Sequence, residues 1–118
     1  MTSLIACLGT GKGTLQHVSR LIKEHEWDKI FLVTNKSGKE NFSNEKNAEF
    51  ILIDPNRFLS ELTEDIKKQL ENKIADTEVA LNFISGTGKE HMAVLSAVLK
   101  LGLGIRLVAL TKYGIKEV

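Results

Sequence analysis

The tetrapeptide Gly-Thr-Gly-Lys occurs twice in this chain, at Gly9–Lys12 and at Gly86–Lys89. Each copy follows an apolar run and precedes a segment of helical periodicity, in "LIACLGTGKGTLQHVSRLI" and in "LNFISGTGKEHMAVLSAVL". These residue types suit an anion. Glycine lets the backbone approach a ligand closely and adopt positive φ. The N–H groups that open the following helix attract negative charge. Lysine adds a mobile point charge suited to phosphate. Gly9, Thr10, Gly11 and Lys12 are therefore candidate ligand-binding residues, as are Ser85, Gly86, Thr87, Gly88 and Lys89. The alternative is that the glycines only make tight turns, the hydroxyls only brace them, and the lysines are solvated.

Neither turn is a standard nucleotide motif. A Walker A loop needs a glycine where Ala6 and Phe83 stand. The dinucleotide fingerprint needs a third glycine where Thr14 and His91 stand. Five further polar residues lie near the turns or share their chemistry. His91 follows Lys89 by two positions, and an imidazole there can act as general base or acid near pH 7. A structural helix-start histidine is the alternative. Asn35, just past the second apolar segment, either contacts a base or caps a loop. His17 and Asn82 read as structural residues, and His25 as a solvated loop residue.

Composition narrows the field. A net charge of +1 argues against a broad face for long nucleic acid and permits a local basic pocket. Cys7 is the only cysteine and sits in an apolar segment, where a small buried hydrophobe is the default. No Cys/His cluster has metal-ligand spacing, so neither metal nor cofactor is expected. No segment approaches a membrane span and no signal peptide is evident, so the chain reads as cytoplasmic.

The elements that must position the two turns follow from periodicity. Five short apolar segments read as strands: Leu4–Leu8, Ile30–Thr34, Phe50–Ile53, Val79–Ile84 and Ile105–Leu110. Most are continuous rather than alternating, as in strands covered on both faces. Leu15, Val18, Leu21 and Ile22 give one helical stripe, and Phe58, Leu62, Ile66 and Leu70 another. For the latter, Asp54 is the expected cap and Pro55 the first helical position. A further helix is expected from about Glu90 to Leu101, with Gly102 as its stop. The polar stretch Lys36–Lys46 reads as an exposed loop with room for a short helical turn. The chain thus predicts one domain over residues 1–118: a three-layer α/β sandwich on a mainly parallel five-stranded sheet. Turns after parallel strands lie at the carboxyl edge, so the two GTGK turns converge if their strands are neighbours.

The segment "NFISGTGKEHMAVLSAVLKLGLGIRLVAL" resembles the signature region of CRISPR-associated Rossmann-fold (CARF) domains. There a strand ends in a Thr/Ser-Gly-Gly-Thr-Lys-type turn, followed by an apolar helix and a final strand. Ser85, Gly86, Thr87, Gly88 and Lys89 fill those positions, with the third and fourth residues exchanged, and "LGTGKGT" is similar to the family's first loop. The resemblance implies a Rossmann-like homodimer that binds a cyclic oligoadenylate, or another nucleotide, across its two-fold axis. Most such domains carry a C-terminal effector, for which a chain ending at Val118 has no room. Stand-alone members include ring nucleases, which cut the messenger of type III CRISPR immunity without a metal. In them the ribose 2′-hydroxyl attacks the adjacent phosphate and leaves a 2′,3′-cyclic phosphate. Under that reading Lys89 would stabilise charge on the cleaved phosphate, Thr10 would orient the hydroxyl or phosphate, and His91 would serve as acid or base. The alternative is a non-catalytic nucleotide-binding or protein-assembly module. The helix "HMAVLSAVLKL" is apolar around most of its circumference, which suits a dimer interface as well as burial within one chain.

Overall fold

In the computed structural model, which describes residues 2–44 and 46–118, strands and helices alternate along the chain. The order is β1 (Ser3–Cys7), α1 (Lys12–Glu24), β2 (Ile30–Thr34), α2 (Lys36–Asn41), β3 (Glu49–Leu52), α3 (Leu59–Leu70), β4 (Glu78–Asn82), α4 (Gly88–Lys100), β5 (Gly104–Thr111) and β6 (Gly114–Glu117). They form one sheet in the order β3-β2-β1-β4-β5-β6. The first five strands are parallel to their neighbours. The last is antiparallel to β5.

The five-stranded expectation is therefore corrected to six. The segment "GIKE" carries a single apolar residue and gives no continuous run to read. It pairs through a tight hairpin at Lys112–Tyr113, with Gly114 at φ +95°. An edge strand with a solvated face needs no apolar run. The start of α3 is also corrected. Asp54 caps no helix: its Oδ1 accepts from Asn56 N at 3.0 Å and its carbonyl from Arg57 N at 3.2 Å, closing a turn ahead of Phe58 and Leu59. The stretch Lys36–Lys46 includes α2, and its Glu45 lies outside the described residues.

The sheet divides the apolar side chains into two cores. Ile5 and Cys7 of β1 and Val79 and Leu81 of β4 face one way, onto Leu62, Ile66 and Leu70 of α3 and Ala93, Val94, Ala97 and Val98 of α4. Leu4, Ala6 and Ala80 face the other way, onto Val18, Leu21 and Ile22 of α1. Both faces of β1 are thus filled, which is why its sequence runs apolar without alternation. The alanines of α4 let that helix sit close on the sheet. Its other side leaves Met92 and Leu99 each 59% exposed.

His17 joins α1 to the far half of the sheet. Its Nε2 accepts from Leu110 N at 3.1 Å. Asn82 Nδ2 lies 3.3 Å from the same nitrogen and donates to Val108 O at 2.8 Å. An Nε2 that accepts from a backbone N–H carries no proton. Partial burial first, then the charge of Arg20, holds this imidazole below its ordinary pKa of 6.5. The unfolded chain then binds the proton before the folded one does. The contribution of His17 to stability is complete above pH 6.5 and is lost as pH falls from there through the folded pKa. Thermal unfolding between about pH 7.5 and about pH 5 should show this slope in the wild type and a flatter one in His17→Gln, which has no proton to take up. Parallel slopes would remove the role assigned to His17.

Candidate functional site

The strand order reverses between β1 and β4, because α1 leaves β1 over one face of the sheet and α4 leaves β4 over the other. Outside their carboxyl ends lies a crevice of about 580 Å³. This is where open parallel sheets hold ligands. The β1–α1 turn supplies one wall, with Leu8, Gly9, Thr10, Gly11, Thr14 and Leu15. The α2 side supplies Asn35, Ser37, Gly38, Asn41 and Phe42. The β4–α4 turn supplies Ile84, Gly86, Thr87 and Glu90, and Pro55 closes the side next to α3.

The two GTGK turns are in direct contact. Ser85 is buried beneath them, and its Oγ accepts from Gly9 N at 2.8 Å and from the Thr14 hydroxyl at 3.2 Å. The leading glycine of each turn is sterically required. A Cβ on Gly9 would lie 2.8 Å from Gly86 N. Gly86 has φ +95°, and a Cβ there would lie 2.9 Å from Glu90 Oε1 and 3.0 Å from Cys7 Cβ. The second glycines are looser: Gly11 would meet only the Thr14 hydroxyl at 3.2 Å, and Gly88 nothing within 4 Å.

Identical tetrapeptides nevertheless open their helices differently. In the second turn Thr87 is the N-cap: its Oγ1 accepts from Glu90 N at 3.2 Å, and Glu90 Oε1 accepts from Thr87 N at 2.8 Å. This reciprocal box satisfies the N–H groups of Thr87 and Glu90 from within. In the first turn the position matching Glu90 is Gly13, so no box forms and Gly11 becomes the N-cap, with no side-chain bond. No acid stands in the first turn of α1. Among the described residues, nothing accepts from the N–H groups of Lys12, Gly13 or Thr14. The first helix start thus leaves three N–H groups for an anion, and the second leaves those of Gly88 and Lys89, with the Glu90 carboxylate beside them. The spacing Thr87-x-x-Glu90 carries this difference in the sequence itself.

Gly9, Thr10, Gly11, Asn35, Gly86 and Thr87 line the crevice. Asn35 caps α2, its Oδ1 accepting from Gly38 N at 2.8 Å. Lys12, Ser85, Gly88, Lys89 and His91 stand behind or beside the lining. Lys12 is exposed at the start of α1. Lys89 Nζ donates to Pro55 O at 2.9 Å, tying the start of α4 to the connection before α3. His91 Nε2 lies 2.7 Å from Ser85 O, which can only accept, so that nitrogen carries the hydrogen. The ring stacks on Phe83 at 4.9 Å between centroids. His91 thus holds the second turn in shape through Nε2. Burial first, and then Glu90, pushes the Cys7 thiol up to about 12, which makes it an inert floor to the site.

Sequence reasoning passed over Thr14, Glu90 and the α2 wall beyond Asn35. For Glu90 the capping-box spacing was the available signal. For the wall the signal was its place after β2 at the same sheet edge. Among the described residues no cluster of His, Cys, Asp and Glu could hold a metal, and no helix is long and apolar enough to cross a membrane. Comparison with known protein families and with characterised proteins finds no match to this chain.

Proposed function

We propose that this chain is a CARF-like domain that binds a cyclic oligoadenylate in the crevice between β1 and β4, in the cytoplasm, and cleaves it as a metal-independent ring nuclease. The observation that carries the reading is the meeting of two GTGK turns at the reversal point of the sheet, one with three free N–H groups at its helix start. A phosphate fits that start. Leu15, Phe42 and Ile84 offer apolar surface to a base, and Asn35 and Asn41 offer polar edges. In the cleavage reading a ribose 2′-oxygen forms a bond to the adjacent phosphorus as the bond to the 5′-oxygen breaks. Thr10 would orient the attacking group, and Lys89 would swing from Pro55 O to the developing charge.

The working unit is proposed to be a homodimer. Met92, Leu95 and Leu99 form a stripe on the outer side of α4, with Leu107 of β5 also exposed. A second copy related by a two-fold axis would cover the stripe with the same stripe and bring two crevices to one side. Light scattering at micromolar concentration should give twice the chain mass, and Leu99→Glu should give the chain mass. A wild-type monomer would reject this assembly.

A second reading, a non-catalytic nucleotide-binding or assembly module, is favoured by the occupied Nε2 of His91. One experiment separates the two. Purified protein is incubated with labelled cyclic tetra- and hexa-adenylate; binding is titrated and products are resolved. Linear products ending in a 2′,3′-cyclic phosphate support the enzyme, and binding without products supports the module. Absence of binding to either ring removes both nucleotide readings.

A further inference from the structure

Glu90 is the one ionisable side chain lining the crevice among the described residues. That is an odd choice for a site whose opposite wall is the positive end of α1. Capping explains only half of it. Oε1 accepts from Thr87 N at 2.8 Å, while Oε2 accepts from no described residue. The capping bond fixes the carboxylate, and the bare Cα of Gly86 lets it lie against the turn, where a Cβ would come within 2.9 Å of Oε1. The crevice is therefore bipolar, with free N–H donors on one wall and an anchored, half-used carboxylate on the other. A carboxylate accepts hydrogen bonds and donates none. A ligand that satisfies both walls must carry an anion and a hydroxyl or N–H donor. In a nucleotide the ribose hydroxyl beside the phosphate has that capacity, and a carboxylate is a good acceptor for it.

We propose that Glu90 reads the ribose 2′-hydroxyl and makes this crevice selective for ribonucleotides over deoxyribonucleotides. The inference rests on the nucleotide reading of the site given above. Glu90 acts here as a specificity-determining residue, and its free Oε2 accepts the hydroxyl hydrogen. A free acceptor that a deoxyribose leaves unmatched stays desolvated without a partner, so discrimination is expected to be large.

The test titrates wild type and Glu90→Gln with labelled cyclic tetra-adenylate and with its 2′-deoxy counterpart. Glutamine at this position still completes the capping box, so the fold survives, and a thermal melt checks it. Wild type should bind the ribose ring at least about tenfold more tightly than the deoxy ring, and the variant should narrow that ratio to about threefold or less. Tighter binding of both rings by the variant would show that Glu90 only repels phosphate, and equal weakening of both would leave it only a cap. Either result overturns the proposal, as does a wild type that binds both rings equally. These outcomes leave the nucleotide reading standing. A wild type that binds neither ring takes both down.

Discussion

Gly86→Ala should destabilise the protein by about 3 kcal/mol, while Gly88→Ala, two residues on in the same turn, should stabilise it slightly. At Gly86 two costs act together. A left-handed backbone with a Cβ costs about 1–2 kcal/mol. Forcing that Cβ against Glu90 Oε1 and Cys7 Cβ adds about 1–3 kcal/mol. The Cys7 contact cannot yield, because that residue is fully buried in β1. Gly88 is the first residue of α4 and faces open space. Alanine there gains about 0.5–1 kcal/mol by relieving glycine's entropic cost. Urea unfolding followed by circular dichroism would separate the two, with the melting temperature of Gly86→Ala lowered on the order of 10 °C. Equal stability of the two variants would mean that the turn is not held as described.

Lys89→Ala should weaken binding of cyclic tetra-adenylate by roughly ten- to a hundredfold, the worth of one charge-assisted hydrogen bond to phosphate. Lys12→Ala should cost less. Beside Lys12 three open N–H groups of α1 remain to hold an anion, whereas the start of α4 gives one of its three to Thr87 and sets the Glu90 carboxylate beside the rest. Although Lys89 donates to Pro55 O in the free protein, that bond is exposed, so its removal should shift the melting temperature little and a loss of binding is read as a loss of contact and not of fold. If cleavage slows while binding holds, Lys89 acts in the transition state. Wild-type behaviour in both assays would make it a surface clasp on Pro55 and nothing more.

The parallel sheet was legible because β1, β2 and β4 are buried on both faces and so run apolar without alternation. The βα rhythm placed both glycine turns at the carboxyl edge, but that they meet depends on β1 and β4 being neighbours, which only the strand order shows. The sixth strand was not legible, because an edge strand with one apolar residue gives no periodic signal. Asp54–Pro55 looked like a cap and a first helical residue because those types serve both helix starts and turns. Here the aspartate side chain was spent two residues on, at Asn56 N. The hold of Lys89 on Pro55, 34 residues away, is a tertiary contact that no local pattern encodes. The difference between the two turns is written in the sequence as Thr87-x-x-Glu90 against Thr10-x-x-Gly13, one residue beyond the identical tetrapeptides.

The Ser85 hydroxyl, receiving both Gly9 N and the Thr14 hydroxyl, welds the ends of β1 and β4 into one anvil. A hinge cannot open there without breaking bonds beneath the surface. Helix α2 is a different kind of wall: six residues, none of them buried, pinned at its start by Asn35. The α2 side is therefore the wall with fewer bonds to break if the crevice is to change its width, while the side built by the two glycine turns is held from beneath.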